Sequence, residues 1–183
     1  MSFDYTKITA KQGDHGTTAL LFGGRVDKTD TRIKAVGKAD SFSAYVGVIR
    51  SQGVGCYIDS ILSNIQQRFF LLMGELATHH ENLDTFLSKY DAISEFDVLN
   101  LEAYISELGS VLNTRGVNSG WSVYGASRNH NAAQLFYATA LLRELEVAVL
   151  SVDVNRSVLL QYLNRLSKVL FLAAKFVETE LGE

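Results

Sequence analysis

The stretch KQGDHGTTALLFGG, from Lys11 to Gly24, places four glycines, a lysine, an aspartate and two threonines within fourteen residues. Closely spaced glycines leave the backbone unshielded, so successive N–H groups can converge on an anion. Lys11 offers a positive charge, Thr17 and Thr18 offer hydroxyl donors, and Asp14 can orient the lysine or accept from a loop amide. The order is not that of a P-loop, GxxxxGK[ST], because here the lysine precedes the glycines. Ordinary turns use the same residues, so the loop alone leaves phosphate binding and plain chain reversal both open. The following GRVDKTDTR adds Arg25, Lys28 and Arg32 among hydroxyls and acids. Such a cluster suits a polyphosphate, or else pairs with its own acids in solvent.

Other chemistry is sparse. Cys56 is the single cysteine, which rules out an intramolecular disulfide and a zinc site built on paired cysteines; a reducing, cytoplasmic compartment is expected. His79 and His80 are expected to end the second helix, where adjacent positions point about 100° apart, so no metal site is expected of them. His15, inside the glycine loop, could touch a phosphate or be a solvated loop histidine, His130 reads as a surface residue, and no two carboxylates can be placed in acid–base geometry. The net charge of −3 lacks the basic excess of a nucleic-acid-binding protein. No apolar run is long enough to span a membrane, and the N-terminal MSFDYTKITAKQGD has no apolar signal core.

These residues need a scaffold, and the hydropathy pattern supplies one. With 47% hydrophobic and 20% charged residues, the chain has the balance of one globular domain. It has no proline, so glycine does the punctuating. Five segments show the helical period: about Asp40–Ile49, Ile58–Leu76, Val98–Leu112, Ala132–Val149 and Leu159–Val177. Ser94 with Asp97 is expected to cap the third, and Asp153 the last. Each apolar stripe needs a partner, so the fold class is all-α: a five-helix bundle with ferritin-like up-down packing, behind an ordered N-terminal glycine-rich loop. No convincing strand is visible. The expected organisation is a single domain, 1–183, with a nucleotide-binding segment over 1–38 and the bundle over 39–183. The aperiodic stretch between helices three and four, Asn113–Asn129, is long enough to be functional.

The N-terminal sequence KITAKQGDHGTTALLFGGRVDKTDTRIKAVGKAD resembles the signature of the PduO-type ATP:cob(I)alamin adenosyltransferases. Three later stretches continue the likeness in order: IQQRFFLLMGELAT from Ile65, LLRELE from Leu141, and YLNRLS from Tyr162. The resemblance implies a homotrimer with active sites between subunits, MgATP and a corrinoid (cobalamin) as substrates, and transfer of the 5′-deoxyadenosyl group to cobalt with release of triphosphate. A corrinoid reductase or an acceptor enzyme is an implied partner.

Carried over by motif, the phosphate cradle is Lys11, Gly13, Asp14, Gly16, Thr17 and Thr18, with Lys28. The resemblance makes Arg143 a catalytic residue that reaches the phosphates in trans. It assigns Glu146 to holding Arg143 or a Mg²⁺-bound water, and Asn164 to the nucleotide. Trp121 stands where the family has an aromatic that displaces the corrinoid's lower axial ligand; a core tryptophan is the competing reading. Thr139 replaces an arginine that in many members pairs with the helix-one aspartate, here Asp40. Tyr124-Gly-Ala126 replaces Pro-Gly-Gly, and Lys168 replaces an aspartate. An alternative function is a degenerate member that binds nucleotide or corrinoid as a carrier or sensor without transfer.

Overall fold

The computed structural model describes residues 11, 13–118, 120, 122–153 and 156–180. A hairpin of β1 (Thr17–Ala19) and β2 (Arg25–Asp27) leads into α1 (Thr31–Ser51), α2 (Cys56–Leu76), a 3₁₀ turn (His80–Asn82), α3 (Leu83–Lys89), α4 (Glu95–Thr114), α5 (His130–Leu150) and α6 (Ser157–Thr179). The five long helices alternate in direction. Arg50 on α1 pairs with Asp59 on α2 at 2.8 Å, Tyr45 on α1 meets Tyr137 on α5 at 5.0 Å, and Phe136 on α5 meets Phe171 on α6 at 5.7 Å. Their buried faces form one core, including Phe42, Phe69, Leu72, Phe136, Leu142 and Tyr162. Among the described residues, no helix is long and apolar enough to cross a membrane.

The bundle matches the periodic pattern, and its departures from expectation have physical causes. Helix α1 begins at Thr31, not near Asp40, with the Asp30 carboxylate accepting from Arg32 N at 2.8 Å. Its first turns bury Arg32, Ala35 and Ala39, which are too small or too polar to register as an apolar stripe. The expected absence of strands is also corrected. Strands β1 and β2 pair antiparallel, Thr17 opposite Asp27, but three residues each are too few to show an alternating pattern. Their connection turns through Phe22, Gly23 and Gly24, all at positive φ, where two glycines relieve the strain an L side chain would add.

The Ser94–Asp97 cap of α4 is present: the Asp97 carboxylate accepts from Ser94 N at 2.8 Å and Ser94 Oγ at 2.9 Å. Asp153 does not cap α6, which starts four residues later at Ser157. Arg156 fixes that connection instead, donating to the Glu75 carboxylate on α2 and to Ile93 O, both at 2.6 Å. His79 and His80 lie beyond α2, which ends at Leu76, so the helical geometry expected of them does not apply.

Candidate functional site

The hairpin brings the predicted cradle together. Gly16 O accepts from Lys28 N at 2.8 Å, which folds the 13–16 turn against the end of β2. The Lys28 side chain then crosses Gly13 so closely that a Cβ there would lie 2.9 Å from Nζ. This contact is a reason for glycine at 13, and it puts an ammonium beside unshielded backbone. Lys11, Asp14, His15 and Gly16 are exposed at the rim. Arg25 donates to Thr17 Oγ1 at 2.9 Å and to Thr17 O at 3.2 Å, so it braces the strands from within.

Of the three cations in GRVDKTDTR, Arg32 does something the sequence did not disclose. It is buried and donates to Leu76 O at 2.9 Å and Thr78 O at 2.8 Å. Leu76 O belongs to the last turn of α2, whose carbonyls lack intrahelical donors, and Thr78 O lies two residues beyond it. Arg32 is therefore not a phosphate ligand but the clamp that joins α1 to α2 beneath the hairpin. Leu21 N donates to Ala77 O at 2.9 Å, and Leu21 forms a bridge with Thr78, so the hairpin rests on the same segment.

Arg143, Glu146 and Asn164 form a second group on α5 and α6. Asn164 Nδ2 donates to Glu146 Oε1 at 3.4 Å, and Asn164 Oδ1 accepts from Lys168 Nζ at 3.0 Å and from Arg165 at 3.1 Å. Among the arginines on helices, Arg32, Arg50, Arg68 and Arg165 all hold carboxylates or carbonyls. Arg143 is exposed and, among the described residues, has no hydrogen-bond or ion-pair partner. It borders a groove of about 340 Å³ with Ile105, Ser167, Lys168, Phe171 and Leu172. A second groove, about 550 Å³, opens on its other side along Lys38, Glu144 and Val147. Lys168 was noticed in the sequence only as a departure from the family; here it is the second cation of Arg143's groove.

The two groups share one end of the bundle. Lys38 on α1 pairs with Glu144 on α5 at 2.7 Å, which sets Arg143 level with the second turn of α1. That is roughly 10 Å along the axis from the hairpin end of α1. No hydrogen bond or ion pair among the described residues joins Arg143 to the hairpin within one chain. Thr139 is buried and bonds its own helix, Oγ1 to Leu135 O at 2.9 Å, so it is no substitute for an arginine facing Asp40.

Trp121 lies outside the described residues. Its neighbours on the 115–129 connection are informative. Tyr124 stacks on Phe136 at 4.7 Å, and Phe136 meets Phe171, which lines Arg143's groove. Phe136 is buried in the core, so of these rings only Tyr124 and Phe171 reach the surface, and Phe171 lines the groove with two cations.

The chain is thus an all-α bundle with a glycine-rich hairpin at one end and, on α5, an exposed arginine without a partner among the described residues. Residues 8–177 match the family model described as cobalamin adenosyltransferase, and the chain belongs to that family. It is 31% identical over 176 residues to a corrinoid adenosyltransferase of Citrobacter freundii, covering 94% of this chain and 96% of that protein. It is 33% identical over 172 residues to the corrinoid adenosyltransferase PduO of the same organism, covering 92% of this chain but 49% of that protein. The chain thus spans about half the length of the PduO relative. A variant of a PduO-type ATP:corrinoid adenosyltransferase from Lactobacillus reuteri, solved with cobalamin and ATP, superposes with a TM-score of 0.81 at 25% identity, covering 93% of each chain.

Proposed function

We propose that this protein transfers the 5′-deoxyadenosyl group of ATP to the cobalt of a reduced corrinoid, forming adenosylcobalamin and releasing triphosphate. The observation that carries the reading is Arg143: a helix arginine with no partner among the described residues, bordering a groove with a second cation and one aromatic side chain, Phe171. The nucleophile is the reduced substrate itself, so no activated serine, cysteine or general base is required of the protein. What the protein must do is bend ATP so that its 5′ carbon faces the corrinoid, and neutralise charge growing on the departing triphosphate.

On this reading the division of labour is as follows. Lys11, Lys28, the Gly13–Gly16 amides and the Thr17 and Thr18 hydroxyls hold the triphosphate. Arg143 of a neighbouring subunit meets it as the bond to the 5′ carbon breaks, and Asn164 positions the nucleoside. Glu146, whose Oε1 already accepts from Asn164, would offer a Mg²⁺ ion a carboxylate oxygen. One carboxylate with phosphate oxygens and water is a ligand set that ion takes. The flat corrinoid lies against Tyr124 and Phe171, with Trp121 excluding its lower axial ligand. The assembly is a homotrimer: Val147 and Leu150 are exposed apolar residues beside Arg143 on α5, and a neighbour's hairpin covers them. A reductase supplies the reduced corrinoid, and the exposed thiol of Cys56 fits a reducing, cytoplasmic setting.

Calorimetry with ATP, followed by a spectrophotometric assay for the Co–C bond, tests the reading. Tight ATP binding with no transfer would favour a carrier or sensor instead.

A further inference from the structure

His79, His80 and Glu81 stand apart from the nucleotide machinery. Helix α2 stops at Leu76, and the chain turns through an extended His79 into the 3₁₀ turn. The two imidazoles therefore face each other, with ring centroids 4.2 Å apart, which neighbouring positions on a helix would forbid. Glu81 Oε2 lies 3.4 Å from His79 Nδ1. One ligand atom from each of the three residues falls within 4.8 Å of the others, and among the described residues no other histidine, cysteine, aspartate and glutamate group of three does so.

We propose that His79, His80 and Glu81 bind one divalent cation of the Zn²⁺ or Ni²⁺ type, and that the ion steadies the segment on which the hairpin rests. Two imidazoles and a carboxylate select borderline transition metals over Mg²⁺ or Ca²⁺, which take oxygen ligands. Metal–ligand bonds of about 2.0–2.2 Å require the donor atoms, now within 4.8 Å of one another, to close by up to roughly 2 Å, which rotation of surface side chains provides. Water completes the coordination. The position gives the ion its effect. Ala77 and Thr78, which precede His79 in the chain, receive the Leu21 amide and the Arg32 guanidinium. A cation that clips residues 79–81 together limits motion of the Ala77–Thr78 segment and hence of the hairpin. This inference does not depend on the adenosyl-transfer reading.

The test uses the full chain, stripped with chelator and titrated with zinc chloride and, separately, nickel chloride by calorimetry. The expected result is one saturable site per chain, with Kd raised at least about tenfold in His79→Ala and in His80→Ala. Hydrogen exchange at the Leu21 amide should slow on adding zinc to the native chain and stay unchanged in the double variant. Circular dichroism confirms that the variants fold. Absence of saturable binding overturns the site. So does binding that survives in the double variant, which still carries His15, His130 and Cys56. Binding with no change in Leu21 exchange overturns the link to the hairpin.

Discussion

Replacing Arg32 with methionine separates two readings of one residue. Methionine keeps most of the apolar stem and removes the guanidinium, so the change isolates the bonds to Leu76 O and Thr78 O. Leu76 O ends α2 and Thr78 O lies just beyond it, and Arg32 is only 9% exposed, so water does not readily replace it. A charged hydrogen bond contributes about 1.5–3 kcal/mol, so losing two costs about 3–6 kcal/mol of folding stability. That is a large part of the roughly 5–15 kcal/mol available to a domain. At a urea slope of about 2 kcal/mol/M, the unfolding midpoint should fall by about 1.5–3 M, read by circular dichroism. Arg32→Lys should recover about half, since an ammonium lacks the planar fork that reaches both carbonyls. If Arg32→Met left the midpoint unmoved while weakening ATP binding, the clamp would be refuted and Arg32 would return to the phosphate site.

Gly13→Ala places a Cβ 2.9 Å from Lys28 Nζ and should displace that flexible tip. Stability should change by less than about 0.5 kcal/mol while the Kd for ATP rises about tenfold, measured by thermal melting and calorimetry. The Glu75 carboxyl is pushed above its usual 4.5 by burial, which the Arg156 pairing only partly offsets. The folded state therefore holds this proton more tightly than the unfolded chain, so the contribution is full below pH 4.5 and is lost as pH rises through the raised value. Glu75→Gln should remove that slope, and identical melting profiles of the two proteins from pH 4 to 7 would contradict it. The Lys38–Glu144 pair is exposed on both sides, so a double-mutant cycle should give a coupling of only about 0–1 kcal/mol, smaller still in high salt.

Much of this was legible in the sequence, because burial leaves a periodic trace where the buried residues are large. Ile58, Ile61, Leu62, Ile65, Phe69, Leu72 and Leu76 announce α2, and all are buried. The start of α1 left little trace because its core face is Arg32, Ala35 and Ala39. The glycine loop was readable as a possible anion site, but its pairing as a hairpin is a backbone event of three residues per strand. Arg32 was misread because a cation beside hydroxyls looks the same in sequence whether it meets a phosphate or two helix-end carbonyls 44 and 46 residues away. His79 and His80 were judged by a helix that ends three residues too early for the argument to hold. Lys168 gained meaning only from the groove it shares with Arg143.

The central claim is adenosyl transfer completed by Arg143. The direct measurement adds chemically reduced cobalamin to the folded protein with and without ATP, and follows the corrinoid spectrum as the Co–C bond forms. The account predicts ATP-dependent conversion by the native protein and a rate about 10²–10³ lower in Arg143→Ala at saturating ATP, as for the loss of one charge-stabilising donor. An ATP-independent spectrum, or an Arg143→Ala variant that turns over at the native rate, would contradict it.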